Sequence, residues 1–409
     1  MPKKHMLNLI IRIGLFNLIL GLGIVIALVV GEKSGLALTD LSHTPVQTIV
    51  AAKNGDVLYT ALNNGSQPGG VYRSDDDGRT WQLVSPKSNL AFDVLAVHPT
   101  NDAILYGGTA GGPVAATNNL WRSEDGGQTW HKLSLNLPAN SDAVIPGVTA
   151  LALDPAQPEL LYVSTAGQGV YRFDVGSESP GYNLVGDLSL HDAHVNDLVI
   201  GMDHRVYALT NDGLFANDNE SWKKLEALPE VPISLAVAPT EPQTLYAGGP
   251  SSGVYRSTNG GQSWDRIGGD WWLLPGAALR GTALAVDEQD ASHVAVTTAY
   301  GIGNRLVGGS IYETYDSGRN WIKIADAHDV VTQLTIDDEA IYAAAPSGLV
   351  RYGGPAEPAA PAPLADLHSL TNPTGTQMLV LVLTFGLAGL VLLTRLEWIM
   401  SLPPIQNKL

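Results

Sequence analysis

The stretch YRSDDDGRTW, Tyr72 to Trp81, sets three consecutive acids between an arginine and a tryptophan. Alone it has the look of a metal loop or an acid-catalyst cluster. It recurs, however, as WRSEDGGQTW (Trp121 to Trp130), YRSTNGGQSW (Tyr255 to Trp264) and YETYDSGRNW (Tyr312 to Trp321). A pattern repeated along a chain belongs to a scaffold rather than to a single reactive centre. Aligned on its third position, the pattern places Ser74, Ser123, Phe173, Ala216, Ser257, Thr314 and Tyr352 in register. Their spacing is roughly the 40–50 residues of a four-stranded propeller blade.

One unit can be followed strand by strand. VLAVH (94–98) ends at a Pro-Thr-Asn-Asp turn, AILYGGT (103–109) follows, a loop leads to NLWRS (119–123), and the box turns the chain into TWHKL (129–133). SLAVAPTEPQTLYAGG (234–249) opens a second copy of the same plan. Period-two alternation bounded by Gly, Pro, Asn and Asp marks strands and turns. Six such units cover about 45–86, 92–138, 143–190, 193–229, 231–276 and 280–329, and a seventh, 330–353, stops before its fourth strand. The segment GLALTDLS (35–42) is placed to supply that strand. Closure of this kind leaves no free sheet edge. The expected fold is therefore all-β, a seven-bladed propeller over 36–353.

The pattern S/T-x-D-x-G-x-T-W resembles the Asp-box, or BNR repeat. Ser74, Asp76, Gly78 and Trp81 fit it, as do Ser123, Asp125, Gly127 and Trp130. Ser257, Asn259, Gly261 and Trp264 fit with conservative changes, and Thr314, Asp316, Gly318 and Trp321 fit with Asn320 in place of Thr. FDVGSESPGY after Phe173 has lost the box, and ANDNESW keeps only its Trp. The resemblance implies a carboxylate folded back onto its own turn, a Gly with positive φ and a Trp between neighbouring sheets. Asp75 and Asp77 fall at unspecified positions and are expected to be solvated.

Two segments are apolar enough to span a bilayer, about 7–30 and about 376–394; roughly 20 residues suffice. The first exceeds the ~7–15 apolar residues of a cleaved signal and is expected to be a retained anchor. Lys3 and Lys4 precede the first segment, and Arg395 and Lys408 follow the second. The basic-flank rule then places residues 1–35 and the tail of 376–409 with both termini in the cytoplasm. The propeller is expected outside the cell membrane, returned to it by the Pro/Ala-rich spacer 354–375, an extended type of linker.

The formal net charge of −17 argues against a nucleic-acid partner, because phosphate-binding surfaces are basic. With no cysteine, the chain has no disulfide, thiol nucleophile or cysteine-ligated zinc. No H-E-x-x-H, G-x-S-x-G or P-loop occurs. His191, Asp192 and His194 could begin a metal site, but no third ligand is evident and a solvated loop is expected; no cofactor or metal is assigned. Sialidases with Asp-boxes need an arginine triad. Here Arg73, Arg122, Arg172 and Arg256 share one repeated position beside the box, while Arg205, Arg280 and Arg305 fall away from the boxes. Asp-box endoglucanases resemble two fused propellers. The chain is accordingly expected not to be an enzyme.

Function is expected on one face. The first-to-second-strand turns and the boxes share a face and are short. The opposite face carries long, uneven loops at 63–70, 107–119, 134–147, 268–280 and 299–309, and function concentrates on such loops. Within them DWWLLP offers Trp271, Trp272, Leu273 and Leu274 as a partner-binding anchor; the other reading is a plug against the ring. Over about residues 40–353 the chain resembles the photosystem II stability/assembly factor family, whose members are seven-bladed, extracytoplasmic or lumenal, and bind a reaction-centre subunit. That resemblance implies a protein-interaction scaffold, here membrane-tethered, serving a photosynthetic or respiratory membrane complex. Sortilin-type propellers share the box but are longer. The alternative is a sialidase-like protein that binds or hydrolyses glycans.

Overall fold

The computed structural model describes residues 35–353 apart from 38–45, 53–56, 63–69, 86–91, 110–111, 114–119, 134–143, 146, 177–181, 186–189, 191–192, 219–220, 252, 268–278, 303–304 and 338–339. The two apolar segments and the spacer 354–375 lie outside these residues. Among the described residues no helix is long and apolar enough to cross a membrane.

Seven four-stranded antiparallel sheets follow one another along the chain. In the first blade Val46–Ala51, Leu58–Leu62, Gly70–Ser74 and Gln82–Leu83 pair in sequence order. The next five blades repeat this meander, and the seventh is built from Gln333–Ile336, Ala340–Ala345 and Gly348–Gly353. Its fourth strand comes from the other end of the chain: Gly35–Ala37 pairs antiparallel with Gly348–Gly353, Leu36 opposite Arg351. The ring is thus clasped by the first strand in sequence, which covers the outer edge of Gly348–Gly353. A two-stranded ribbon, Gly112–Pro113 with Val144–Ile145, links loops of the second and third blades.

The first strand of each blade lies beside the first strands of its neighbours all round the ring, including Val46–Ala51 against Gln333–Ile336. These seven strands surround the central axis. The pattern of burial follows from that arrangement. Second strands such as LYTAL and AIYAAA are buried along their whole length, because both faces of an inner strand meet a neighbouring blade. They therefore read as continuous apolar runs rather than as alternation.

The described core divides into seven clusters, one at each seam between blades. Val46, Ile49 and Leu58 of the first blade meet Ala340, Tyr342 and Leu349 of the seventh, with Trp81 between them. Tyr59, Val71 and Leu105 join the first and second blades, with Trp130 against them. Trp264 and Trp321 take part in the seams to their preceding blades. Trp81 is 7% exposed, whereas Trp130, Trp264 and Trp321 are half-buried.

The four boxes share one hydrogen-bonded frame, with the Trp Nε1 bond to the Gly carbonyl formed by Trp81, Trp130 and Trp264. In the first, the Ser74 hydroxyl donates to Asp76 Oδ1 at 2.9 Å, and the Thr80 amide and hydroxyl donate to the two Asp76 oxygens at 2.8 and 2.7 Å. The Gly78 amide donates to Ser74 Oγ, and Trp81 Nε1 donates to the Gly78 carbonyl. Gly78 sits at φ 72°. A Cβ there would stand 2.8 Å from the Tyr342 ring of the seventh blade, so both the backbone and the seam require glycine. In the blade that keeps only a Trp, the register corrects the alignment by one residue. Ala216 pairs with Tyr207 just as Arg73 pairs with Tyr59, so Asn217, not Ala216, occupies the position of Ser74.

Candidate functional site: the two faces and the central channel

Antiparallel order puts the first-to-second-strand turns and the boxes on one face and the long loops on the other. The boxes bond largely within their own turns, while Tyr106 Oη, Tyr207 Oη, Arg122 Nε and Arg256 Nε are buried on this face without a hydrogen-bond partner among the described residues. Asp76 and Asp125 are pushed up by desolvation, but hydrogen bonds from Thr80 and Thr129, Ser74 and Ser123, and the following backbone hold both carboxyls below the usual range. Asp316, half-buried, is lowered to about 2 by the backbone and side chain of Asn320 and by Thr314. A carboxylate that accepts several N–H and O–H bonds is stabilised in its charged form. Asp75 and Asp77 are not merely solvated. Asp75 bonds Arg73 at 2.6 Å, and the Asp77 carbonyl accepts the Tyr342 hydroxyl at 2.9 Å. Asp75 is reached by an arginine of the strand just before it, and Asp77 through its backbone by a tyrosine of the seventh blade.

The same face carries a second repeated device. A second-strand Tyr pairs in register with a third-strand Arg: Tyr59 with Arg73, Tyr106 with Arg122, Tyr162 with Arg172, Tyr246 with Arg256 and Tyr342 with Arg351. The guanidinium lies 5.5–5.9 Å from the ring centroid for Arg73, Arg122, Arg256 and Arg351, within cation–π range. In the fourth blade Arg205 covers Tyr207 from the preceding turn. Several hydroxyls then reach the next blade: Tyr59 to the Asp102 carbonyl, Tyr246 to the Ala291 carbonyl and Tyr342 to the Asp77 carbonyl. Desolvation raises Tyr59 and Tyr106 to about 12 despite the adjacent arginines. The repeated arginines are therefore spent on inter-blade latches. The sequence signal was present as the repeated Leu-Tyr or Ile-Tyr of the second strands.

Where the third blade has lost its box, a cleft of about 980 Å³ opens on this face, lined by Arg122, Glu124, Gln157, Glu159 and Asp174 among others. Arg122 within it is engaged by Glu124 and the Val175 carbonyl.

On the long-loop face, first strands from all seven blades line the mouth of the central channel. The cavity is about 320 Å³ and is bordered by Thr48, Asp93, Thr149, Asn196, Asp197 and Ile233, with further residues of the fifth to seventh blades. Among the described residues no Lys, Arg or His lines it. Burial raises the Asp197 carboxyl to about 7, against the pull of a 2.8 Å hydrogen bond from the Leu198 amide. Sequence reasoning missed Asp197 because only ring closure encloses it.

The expected anchor residues Trp271, Trp272, Leu273 and Leu274 lie outside the described residues, as do His191 and Asp192; His194 is exposed. Among the described residues no group of three or more His, Cys, Asp or Glu could hold a metal ion.

No family model matches the chain. Among curated proteins, a xyloglucanase of Paenibacillus sp is 26% identical over 252 residues, covering 49% of this chain and 23% of that protein. A probable oligoxyloglucan-reducing end-specific xyloglucanase of Neosartorya fischeri is 26% identical over 138 residues, 33% of this chain and 16% of that protein. The chain thus spans less than a quarter of the length of these relatives. Among solved structures, YCF48 from Cyanidioschyzon merolae matches with a TM-score of 0.55 at 13% identity, covering 78% of this chain and 98% of that one. YCF48 bound to D1 peptide matches with a TM-score of 0.55 at 15% identity, covering 80% and 97%. These likenesses show the propeller fold.

The xyloglucanase relatives correct the expectation of a non-enzymatic protein. That expectation rested on a missing sialidase-type arginine set and missing hydrolase motifs, and neither is required of a glycanase of another kind. One propeller fold carries both enzymes and binding proteins.

Proposed function

We propose that the chain is a propeller module that holds a segment of a partner protein on its long-loop face, next to a membrane complex that it helps to assemble or accompany. The observation that carries this reading is the contrast between the faces. On the box face each described box folds its Asp or Asn back onto its own turn, whereas the opposite face carries an open polar cavity bordered by strands of all seven blades. The boxes are structural in this reading. The match to YCF48 in complex with a D1 peptide supports a peptide-sized partner. The acidic balance of the chain favours a basic partner surface. The apolar segments at about 7–30 and 376–394 would tether the module in the cell membrane, with the propeller outside and both termini cytoplasmic. A mild-detergent pull-down of the full chain with mass spectrometry tests the reading. Reproducible recovery of a membrane-complex subunit supports it, and recovery equal to that of an untagged control refutes it.

A second reading rests on the sequence relatives named xyloglucanases: a glycan-binding or glycoside-hydrolysing protein. Release of reducing ends from xyloglucan, with a glycan array and a fluorogenic sialoside beside it, tests that reading directly.

A further inference from the structure

The central channel is polar, but nearly all of its polar groups are already used. Thr149 Oγ1 shares a 2.8 Å bond with Ser164 Oγ, and Thr282 Oγ1 shares one of 3.0 Å with Thr297 Oγ1. The Thr332 hydroxyl donates to the Ala344 carbonyl, and the Ser234 hydroxyl to the Gly281 carbonyl. Gln333 Oε1 accepts the Ile49 amide across the closing seam, and Asn196 Nδ2 donates to Asn211. Asp197 differs. Its Oδ1 accepts the amide of the next residue, and among the described residues no cationic side chain lines the cavity to balance its charge. Beside it, on the adjoining blade, Ile233 is 40% exposed although it is a large apolar residue at the channel mouth.

A carboxylate with no counter-charge among the described lining residues, in a channel mouth that also presents an exposed aliphatic side chain, has a definite complement. Long basic side chains lay an apolar stem along apolar surface and place a charged head at its end. The cavity, at about 320 Å³, has room for one such side chain and not for a folded element. We propose that the channel mouth takes a single lysine or arginine side chain of the partner segment, its stem on Ile233 and its ammonium or guanidinium on the Asp197 carboxylate. This inference rests on the reading of the long-loop face as a protein-binding face and names the anchor within it. The raised pKa of Asp197 agrees with the assignment, since a lone carboxylate in a desolvated site gains most from an arriving cation. Asp93 is the other titratable group among the lining residues.

The test uses the full chain at pH 8 and fluorescein-labelled nonapeptides of Gly and Ser with one central Lys, Arg, norleucine or Glu, read by fluorescence anisotropy. Saturable binding of the Lys or Arg peptide, at least tenfold tighter than norleucine or Glu, is expected. Asp197→Asn should weaken that binding at least tenfold, while Glu226→Gln, which removes an exposed acid outside the cavity, should leave it within twofold. Equal binding of the norleucine peptide, or unchanged binding by Asp197→Asn, overturns the proposal. Spermidine binding at least as tightly as the Lys peptide would reassign the site to a free polyamine and also overturn it. Loss of peptide selectivity with partner recovery in the pull-down intact would remove this anchor alone and leave the face assignment standing.

Discussion

Replacement of Asp197 by Asn should make the protein more stable, and by an amount that depends on pH. The folded carboxyl titrates at about 7, whereas an unfolded Asp titrates near 3.9. Between these values the native state holds a proton that the unfolded chain has released. Stability therefore falls as pH rises from about 4 to 7, and the full penalty persists above the folded pKa. A difference of about 3 pKa units at ~1.4 kcal/mol each sets an upper figure of ~4 kcal/mol. Asn has nearly the same shape, keeps an oxygen for the Leu198 amide, and carries no charge at any pH. Urea unfolding of wild type and variant at pH 4 and pH 8 isolates the effect, because every other titrating group cancels in the difference. The variant should match wild type within about 0.5 kcal/mol at pH 4 and exceed it by ~2–4 kcal/mol at pH 8. An equal difference at both pH values, or a variant less stable at pH 8, would refute a desolvated, unpaired carboxylate in the channel.

The boxes and seams make sharper claims of the opposite sign. Asp76→Ala should cost about 1–3 kcal/mol in urea unfolding through its lost turn bonds. Asp76, Asp125 and Asp316 have lowered pKa values, so their stabilisation is present above about pH 4 and is lost as pH falls through the lowered values; melting points at pH 5 and pH 2.5 should show it. Trp81→Ala should cost about 3–5 kcal/mol and Trp130→Ala less, since Trp130 is half-buried. Gly78→Ala should cost at least ~1–2 kcal/mol from its positive φ alone, with added displacement of Tyr342. Tyr342→Phe removes a hydroxyl 2.9 Å from the Asp77 carbonyl and 2.7 Å from the Asp337 carboxylate. It should cost about 1–2 kcal/mol, with faster amide exchange along the seam of the seventh and first blades.

The parts of the fold that are local were legible in the sequence. The box is ten residues of self-contained hydrogen bonding, so its four copies could be counted and the blade period taken from them. Closure by Gly35–Ala37 was legible too, because a blade one strand short and a spare strand at the other end admit one solution. What depends on neighbours across the ring was not. The Tyr–Arg latches join residues in register on paired strands, and their hydroxyls act on the next blade. Asp77 looked unconstrained because its partner, Tyr342, lies at the far end of the chain. Ala216 was misplaced by one residue because a box that has lost its Gly no longer fixes the register. Asp197 has no motif at all, and its environment exists only once seven blades surround it. The expectation of a non-enzyme was overturned by the xyloglucanase relatives for a different reason: the sialidase arginines and hydrolase motifs it looked for are not required of every glycanase.

The face assignment can be tested at a single residue on each side. Ile233 stands at the channel mouth and Ile322, 56% exposed, follows the box residue Trp321 on the opposite face. A photo-crosslinking amino acid placed at each position in turn, irradiated in intact membranes and analysed by mass spectrometry, reports which face meets a partner. The account predicts a discrete crosslinked protein from position 233 and none from position 322. A partner captured from 322 but not from 233 would contradict it.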